Sequence, residues 1–580
     1  MRFVLPTALL AGAARASRSN KFPAWVSFAS NLPSTSRTSS TCSAVRPSVN
    51  MGHSYVTETL GPQPFWRFFE TISAVPRASY HETAILGYLK RFAEDHGLPW
   101  REDAMGNVVI ERGGMNGGED APTVVIQGHV DMVAEKTPGS SHNFLEDPIP
   151  LMVDGDWLTA DGTTLGADNG IGVAAALTLL DLPASSGVTL PPLECLFTVQ
   201  EEVGLRGAFD LDASMIKGRT MLNLDTVEWG ALFVGCAGGG ESEITFSVED
   251  DFVGATAYEP FRLTVNGLMG GHSGINIHED RGNAIVLLVR VLESLREVVP
   301  TRVVGIKGGD KHNAIPREAS AIVLLPTGDP ATEDSAREAI ARALAELKSE
   351  FGSKETALSV HLEEAKEDVL AATEGADKAV RRRCLGEDGT DRLLSLLQLL
   401  PHGVVKMSHD IKDLVETSSN LASIASMTDD TAGGDSRQGK EMFKIVCSTR
   451  SSIGSSLAQV RRQIKTAANV CGASEVKEPP AYPGWKPNLE SNVLQAAKDA
   501  LRGILDGKEP AVAALHAGLE CGVIGDKIDG MDMVSFGPTV EGCHSPDERV
   551  NIKTVDGFWK LVVATLEVLG RSGSRQAAAN

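Results

Sequence analysis

The feature that most constrains the fold is an alternation of short apolar strand candidates with longer stretches of apolar periodicity. β-Branched runs occur at residues 108–110, 123–127, 193–199 and 220–224. Before the third run lies the stretch 170–182, whose apolar spacing predicts a helix. Buried strands that alternate with helices are typical of an α/β fold, in which helices cover the faces of a sheet.

A second segment, residues 255–482, repeats this alternation with its own strands and helices. The order of its elements predicts an inserted α/β sandwich of ferredoxin-like type, enlarged by residues 352–440. A group of prolines after residue 478 then marks a return to the first domain. We therefore predict a mixed-sheet domain in two parts, 60–254 and 483–570, an inserted domain at 255–482, and a disordered tail at 571–580.

The N-terminal residues 1–52 differ in composition from the rest of the chain. The first 50 residues contain six basic residues, ten serines and no aspartate or glutamate. This composition predicts an organellar transit peptide or a disordered leader, and Met51 is a second candidate initiator. The predicted location is the cytoplasm, or a mitochondrion or plastid where the leader acts as a transit peptide.

The charge of the whole chain limits its partners. Acidic residues number 76 and basic residues 54, a net charge of −22, which argues against a nucleic acid partner. No apolar run approaches the roughly 18 residues that a membrane helix requires. The eight cysteines form no CxxC pair, which favours reduced thiols in an intracellular protein over a disulfide framework.

Side chains of the types that bind metals follow the strand candidates of the first domain. In chain order they are His129 and Asp131, Asp168 in a Gly-Ala-Asp-Asn-Gly turn, the adjacent Glu201 and Glu202, and Asp225. Any one of these patterns alone is typical of a surface pair or a turn. Because ligands of open α/β sheets gather beyond the carboxyl ends of strands, we expect these groups to converge. Histidine with carboxylates and no cysteine predicts an open, catalytic site for Zn²⁺ or Mn²⁺.

The same residues resemble the zinc-binding series of the aminoacylase/carboxypeptidase-type metallopeptidases. Within that group, longer stretches resemble the aminoacyl-histidine dipeptidases, also called Xaa-His or cytosol non-specific dipeptidases. These stretches are residues 127–133, 162–171, 270–277, 312–319, 516–522 and 531–551. The resemblance covers roughly residues 60 to 570 and implies a di-zinc exopeptidase-type catalytic domain with an inserted lid domain.

The resemblance also implies how two zinc ions are held, with Mn²⁺ or Co²⁺ as substitutes. Asp168 would bridge the ions, His129 and Asp225 would complete one, and Glu202 and His544 the other. His544 lies far along the chain from the other ligands. An inserted domain explains this separation, because the chain would return to the first sheet before residue 544.

Further roles follow from the same resemblance. Glu201 would be the general base, and Asp131 would accept the second N–H of His129 and fix its tautomer. His272 in the Gly-Gly-His-Ser-Gly turn would be a lid histidine that stabilises the oxyanion, in its own or in a partner subunit's site. Asn283 and Arg450 would bind the substrate carboxylate, since a guanidinium can bind a carboxylate bidentately.

We therefore predict a zinc metallodipeptidase that cleaves Xaa-His and other dipeptides with a free N-terminus and forms a homodimer. An N-acyl amino acid deacylase or a tripeptidase of the same clan would share all the metal ligands. A catalytically inactive binding or scaffold protein is an alternative from a different class. Every position of the expected site is filled, which favours an enzyme over a scaffold.

Overall fold

The computed structural model describes residues 55–365, 371–374, 379–427 and 439–577. The predicted leader and residues 428–438 lie outside the described residues. The helices and strands of the first part are α1 (Gln63–Ser73), α2 (Thr83–Asp95), β1 (Trp100–Glu102), β2 (Val108–Arg112), β3 (Val124–His129), β4 (Leu151–Asp154), β5 (Trp157–Ala160), α3 (Ala167–Asp181), β6 (Leu193–Thr198), α4 (Arg206–Asp210), β7 (Thr220–Asn223) and β8 (Ala231–Cys236).

The middle of the chain contributes most of the remaining strands. Its elements are β9 (Gly238–Gly254), β10 (Tyr258–Asn266), β11 (Gly271–His272), α5 (Ala284–Arg296), β12 (Arg302–Gly308), β13 (Ala314–Ile315), β14 (Ala319–Pro326), α6 (Pro330–Phe351), β15 (Ser359–Glu364), β16 (Ala371–Glu374), β17 (Ala379–Leu385), α7 (Glu387–Leu399), β18 (Gly403–Met407), β19 (Val415–Ser426), β20 (Lys440–Ser451), α8 (Gly454–Val470) and β21 (Glu475–Lys477). The last elements are α9 (Asn492–Ile504), β22 (Ala511–Leu515), α10 (Glu520–Lys527), β23 (Asp532–Ser535), β24 (Val540–Glu541), β25 (Arg549–Asn551) and α11 (Ile552–Ala577).

The first sheet combines strands from both ends of the chain. Its order is β1-β2-β6-β3-β7-β23-β8-β22, with parallel pairing at β6-β3-β7-β23 and antiparallel pairing at β1-β2 and β2-β6. Every residue of β3 and β6 is buried. Strands covered by helices on both faces read as continuous apolar runs, which explains why the sequence shows these strands so clearly.

The second sheet is antiparallel and has its own core. Its main order is β15-β10-β14-β12-β19-β20-β9-β17-β16. One cluster of buried apolar residues contains members from 65–236 and 485–566, and another contains members from 244–471. The two sheets therefore enclose separate hydrophobic cores, as expected when each layer of helices buries one face of a sheet.

Within the described ranges, the chain leaves the first sheet and returns to it at neighbouring positions. Ala237 separates β8 from β9. The returning segment pairs with it, because Cys236 exchanges backbone hydrogen bonds of 3.0 and 2.9 Å with Trp485, and Gly239 exchanges bonds of 3.1 and 2.9 Å with Tyr482. The outgoing and returning segments thus form a short antiparallel ribbon.

Two small sheets fix loops that carry predicted site residues. His544 lies between β24 and β25, which pair with each other and, through β25, with β5. His272 belongs to β11, which pairs with β13. Each histidine is therefore anchored by a strand pair rather than by a free loop.

The predicted α/β class, with a mixed sheet and a second α/β layer, is confirmed. The second sheet begins at Gly238 rather than at residue 255, because β9 is one long strand whose first half alternates buried and half-buried residues. The last helix continues to Ala577, so the predicted disordered tail is wrong for residues 571–577, and residues 578–580 lie outside the described residues. Among the described residues, no helix is both long enough and apolar enough to cross a membrane.

Candidate active site

The predicted ligands converge at one edge of the first sheet. His129 ends β3, Glu201 and Glu202 follow β6, Asp225 follows β7, and Asp168 lies in the first turn of α3. The backbone of Asp168 departs from helical angles, with φ −81° and ψ 110°. Its carboxylate therefore belongs to the turn at the edge of the sheet rather than to the regular helix.

One half of the site is built around His129. Its Nε2 atom lies 3.0 Å from Oδ1 of Asp168 and 3.3 Å from Oδ1 of Asp225. His129 is 1% exposed. Burial by itself lowers the pKa of this imidazole, but the carboxylates of Asp225, Asp131 and Asp168 raise it well above its usual value.

The other half is built around His544. Its Nε2 atom lies 3.0 Å from Oε2 of Glu202 and 3.4 Å from Oδ2 of Asp168. Hydrogen bonds to these two carboxylates raise the pKa of His544 to about 11. Asp168 therefore faces His129 with one oxygen and His544 with the other, which is the geometry of a bridging ligand.

This donor set fits metal ions. His129, Asp168 and Glu202 each place one ligand atom within 4.8 Å of the others. Oε1 of Glu202 is buried and has no hydrogen bond within the described part of the chain. Buried carboxylates that lack donors require another source of positive charge. Imidazole nitrogens and carboxylate oxygens are ligands that Zn²⁺ accepts.

Asp131 lies behind both His129 and the glutamate pair. Nδ1 of His129 is 3.1 Å from the backbone oxygen of Asp131 and 3.5 Å from its carboxylate. The Asp131 carboxylate also accepts hydrogen bonds from the backbone N–H groups of Glu201 (3.0 Å) and Glu202 (3.3 Å) and from the hydroxyl of Ser79 (2.8 Å). Both the carbonyl and the carboxylate of Asp131 therefore face Nδ1 of His129, and the carboxylate also holds the backbone of the glutamate pair.

Glu201 meets the requirements of a general base. Its Oε2 atom lies 3.9 Å from Nε2 of His129, and its side chain is 16% exposed. Burial raises the pKa of Glu201 well above its usual value, and the charges of Asp225, Glu202 and Glu520 add to the effect against that of His129. A carboxyl group with a raised pKa at the edge of a site is suited to accept and return a proton.

Glu548 is a positioning residue to which the sequence analysis assigned no role. Its carboxylate accepts four consecutive backbone hydrogen bonds, from Leu165 and Gly166 at 2.9 Å each, Ala167 at 2.8 Å and Asp168 at 3.2 Å. It therefore joins the loop of His544 to the turn of Asp168. The sequence did contain one sign of this role, an acidic residue four positions after the predicted ligand His544.

Arg77 is a second residue that sequence reasoning missed. Its side chain is 2% exposed and donates to the backbone oxygens of Gly166 (2.5 Å) and Val130 (3.2 Å). Burial lowers the pKa of Arg77 to about 10, and nearby carboxylates, first that of Glu548, oppose the shift. The guanidinium thus places positive charge behind the carboxylate cluster. No local motif marks it, because it lies 52 residues before His129 in the chain.

His272 is held as a neutral hydrogen-bond donor. Its Nδ1 atom accepts from the backbone N–H groups of Gly274 (3.2 Å) and Ile275 (3.0 Å), so the ring proton lies on Nε2. Burial lowers the pKa of His272 to about 4, and the positive charges of Arg450, His312 and His544 act in the same direction. The imidazole therefore offers an N–H at neutral pH without carrying a charge.

Both polar atoms of the Asn283 side chain are hydrogen-bonded within the protein, which argues against the substrate contact predicted for it. Its Oδ1 accepts from the backbone N–H of Ile285 (3.0 Å) as the N-cap of α5. Its Nδ2 donates to the backbone oxygen of Leu421 at 2.8 Å and lies 3.2 Å from Nδ1 of His402. The side chain is 2% exposed, so Asn283 is a structural residue of the second sheet's layer.

Arg450 remains available to an anionic group. It is 7% exposed, Nη1 donates to the hydroxyl of Tyr482 at 3.0 Å, and Nε has no hydrogen bond among the described residues. A Cβ placed on Gly274 would come 3.1 Å from its Cδ and Nε atoms. Arg450 therefore lies against the loop that carries His272.

A mixed α/β sheet with carboxylates and histidines gathered at its strand ends defines a metallopeptidase, and two family comparisons agree. Residues 107–256 match peptidase family M28, and residues 263–351 match the M20 peptidase dimerisation domain. The second match covers α5 and α6 and the strands around them.

Comparison with individual proteins is more specific. The chain is 37% identical to the cytosol non-specific dipeptidase of Escherichia coli (strain K12) over 510 residues, 88% of this chain and 98% of that protein. It therefore belongs to the cytosol non-specific dipeptidase family. The crystal structure of aminoacylhistidine dipeptidase from Vibrio alginolyticus matches with a TM-score of 0.75 at 38% identity, covering 89% of this chain and 98% of that one. A tripeptidase from Staphylococcus aureus, at 14% identity and a TM-score of 0.53 over 88% of this chain and 99% of that one, shows a shared fold.

Proposed function

We propose that the chain hydrolyses dipeptides with a free N-terminus, Xaa-His dipeptides among them, with two zinc ions bound at the site. The observation that carries this proposal is the placement of Asp168, whose two oxygens face two separate histidines, His129 and His544. The 37% identical Escherichia coli relative is a cytosol non-specific dipeptidase, which supports the choice of dipeptides. Mn²⁺ or Co²⁺ would substitute for zinc.

The ligands divide into two sets around the shared carboxylate. His129 and Asp225 belong to one ion and Glu202 and His544 to the other, in agreement with the short contacts within each set. When bound, a zinc pair polarises the scissile carbonyl and lowers the pKa of a water molecule. A zinc site made of imidazole and carboxylate ligands would leave a coordination position open for a water molecule or the substrate.

Side chains of the protein transfer the protons of the reaction and bind the substrate. Glu201 accepts a proton from the attacking water and returns it to the departing amine. Nε2–H of His272 donates to the oxygen that becomes negative in the transition state, because its tautomer and neutral state are fixed beforehand. The guanidinium of Arg450 binds the substrate carboxylate, and the hydroxyl of Tyr482 holds it in place.

We further propose that the second sheet and its helices, from about residue 238 to residue 482, act as a lid and dimerisation domain. The match of residues 263–351 to a peptidase dimerisation domain supports a homodimer. The cytosolic Escherichia coli relative supports a cytoplasmic location, and a transit function of the leader would redirect the protein to an organelle.

The proposal is tested by hydrolysis of β-Ala-His, Gly-His, Leu-Gly and an N-acetyl amino acid. The purified protein is assayed after chelation and again after addition of Zn²⁺, Mn²⁺ or Co²⁺. We expect metal-restored cleavage of the three dipeptides and none of the acetylated compound. Cleavage of the acetylated compound alone would make the protein a deacylase. Absence of any turnover with two metal ions bound would support a scaffold.

A further inference from the structure

A row of buried polar side chains crosses the first sheet just behind the metal ligands. Its members are Thr198 on β6, Gln127 on β3, Asn223 on β7 and Ser535 on β23, four neighbouring strands. Gln127 is in register with Asn223, and Asn223 with Ser535. Each of the four is at most 1% exposed, so the row is closed off from solvent.

A chain of hydrogen bonds leads along the row from Ser535 to Glu520. Ser535 donates to Oδ1 of Asn223, and Nδ2 of Asn223 donates to Oε1 of Gln127 at 2.5 Å. Nε2 of Gln127 then donates at 2.5 Å to Oε2 of Glu520, the first residue of α10. The hydroxyl of Thr198 donates to the same oxygen at 2.6 Å.

Glu520 is the residue that sets this direction. It is 0% exposed, and its Oε1 atom has no hydrogen bond among the described residues. Oε2 has no hydrogen to donate, so Gln127 must present its amino group to it and its carbonyl to Asn223. Burial raises the pKa of Glu520 to about 7, yet a bound proton would reside on the unbonded Oε1 and leave Oε2 an acceptor.

The row is directly linked to the proposed ligands through the backbone. Gln127 lies two residues before His129, and alternate residues of a strand share a face. Asn223 lies two residues before Asp225, and Thr198 is the last residue of β6 before Glu201 and Glu202. Rotation or slippage of Gln127, Asn223 or Thr198 would therefore shift a proposed ligand.

We propose that Glu520 is a positioning residue for the metal centre, which ties together the ends of the three strands that carry His129, Glu202 and Asp225. This inference rests on the proposed two-metal function. The acceptor at position 520 keeps the row in one hydrogen-bonded arrangement, and that arrangement sets the spacing of ligands that come from different strands. Ligands held before the metal arrives bind it more tightly, because less ordering remains to be done.

The principal test compares Glu520→Met, which removes the acceptor, with Glu520→Gln, which retains one. Zn²⁺ affinity is measured by calorimetric titration of the chelator-treated protein, and kcat and KM for Gly-His are measured on the zinc-loaded protein. We expect Glu520→Met to lower both Zn²⁺ affinity and kcat at least tenfold with KM within twofold of wild type. We expect Glu520→Gln to restore most of each loss.

The matched control is Glu194→Met. Glu194 is also buried, at 1% exposed, but it lies at the opposite end of β6, where it accepts from the backbone N–H groups of Lys217 (2.9 Å) and Gly218 (2.8 Å). This variant is expected to lose thermal stability while its Zn²⁺ affinity and kcat per folded molecule stay within twofold of wild type. Equal Zn²⁺ affinity in Glu520→Met and wild type would overturn the proposal.

Two further variants keep the test decisive. If Glu520→Met does not fold, Thr198→Val removes one donor to Oε2, and Thr198→Ser restores it. Loss of Zn²⁺ affinity in the valine variant alone would support the proposal, and equal affinities would overturn it. His129→Ala separates the two levels of inference. Wild-type Zn²⁺ binding in that variant would refute the proposed metal site itself, whereas a loss there with an unaffected Glu520→Met would refute only the role of Glu520.

Discussion

At the residue scale, two adjacent glutamates have different environments. Oε2 of Glu202 lies 3.0 Å from Nε2 of His544, whereas Oε2 of Glu201 lies 3.9 Å from Nε2 of His129. The Asp131 carboxylate accepts from both of their backbone N–H groups and fixes the direction of each side chain. A shift of one residue here would exchange a ligand for a base.

We expect Glu201→Gln to retain both metal ions and to lose at least a thousandfold in kcat, because the amide cannot accept a proton. Asp168→Ala should instead lose metal, because the carboxylate shared by both halves of the site is gone. Metal content by atomic absorption and kcat for Gly-His measure the two effects. Near-normal turnover in Glu201→Gln would assign the base elsewhere.

The sequence revealed those residues whose position follows from strand order. His129, Glu202 and Asp225 lie at or just after the ends of apolar strands. Because parallel strands end at the same edge of a sheet, the convergence of these side chains could be predicted from the sequence. The hydrogen bonds that Asp131 and Asn283 accept from backbone N–H groups could not be predicted in this way. They depend on which backbone groups a loop turns toward the side chain, and the spacing of residues along the chain does not show this.

At the element scale, buried carboxylates hold the loops that bear functional residues. Glu548 fixes the turn before α3 through four N–H groups. Glu355, 1% exposed, accepts from the backbone N–H of Met269 at 2.7 Å and of Gly282 at 2.9 Å, the two ends of the loop that carries His272. A hydrogen bond from a backbone N–H to a carboxylate is charge-assisted and is stronger than one between neutral groups.

Glu548→Gln is expected to destabilise the protein by about 2 kcal/mol, because an amide places its own donors against backbone N–H groups. The substitution should also loosen the turn that contains Asp168, and we therefore expect Zn²⁺ affinity to fall at least tenfold. Urea unfolding and Zn²⁺ titration measure these effects. The exposed neighbour Asp547 provides the control, and Asp547→Asn should alter neither quantity. An unchanged affinity in Glu548→Gln would show that the turn is held by other contacts.

Glu355→Gln should behave differently, since the loop it holds carries no metal ligand. We expect about a tenfold lower kcat for Gly-His, with KM and Zn²⁺ affinity within twofold of wild type, because the role proposed for His272 is in the transition state. The exposed Glu350 at the end of α6 is the control, as Glu350→Gln. A fall in Zn²⁺ affinity in Glu355→Gln would contradict this division of roles.

At the scale of the whole molecule, His516 connects the two sheets. It precedes α10 of the first part, and its Nε2 atom is 2.8 Å from the hydroxyl of Ser418 on β19 of the second sheet. Burial lowers the pKa of His516 to about 3, and the positive charge of Arg450 adds to this. The contact therefore depends on a neutral imidazole.

The stability of the metal-free protein should consequently depend on pH. In the unfolded chain the pKa of a histidine is about 6.5, so the unfolded state binds the proton first as the pH falls. The contribution of His516 to the free energy of unfolding is complete above about pH 6.5. It decreases as the pH falls towards 3, and about 2 kcal/mol of it is lost at pH 5. Thermal unfolding at pH 8 and pH 5 should differ less in His516→Gln than in wild type. His361→Gln, at an exposed position of β15, serves as control, and an equal difference in all three proteins would refute this account.

The division of the chain between two sheets was predicted in outline but not in detail. Strands β3 and β6 are entirely buried, and each contains a short apolar run that marks it in the sequence. The first half of β9 alternates buried with half-buried residues and starts with three glycines, so no continuous apolar run marks its beginning. The start of the second sheet therefore depends on its long pairing with β20, which the local sequence does not show.

The ribbon at Cys236–Trp485 and Gly239–Tyr482 has an evolutionary consequence. The segment between residues 240 and 481 leaves and rejoins the metal-binding part at positions that are hydrogen-bonded to each other. A short turn could replace the whole segment without moving the strands that bear the ligands. The segment could therefore be exchanged as a unit while the proposed metal ligands kept their places, whereas His272 and Arg450, which lie inside it, would be exchanged with it.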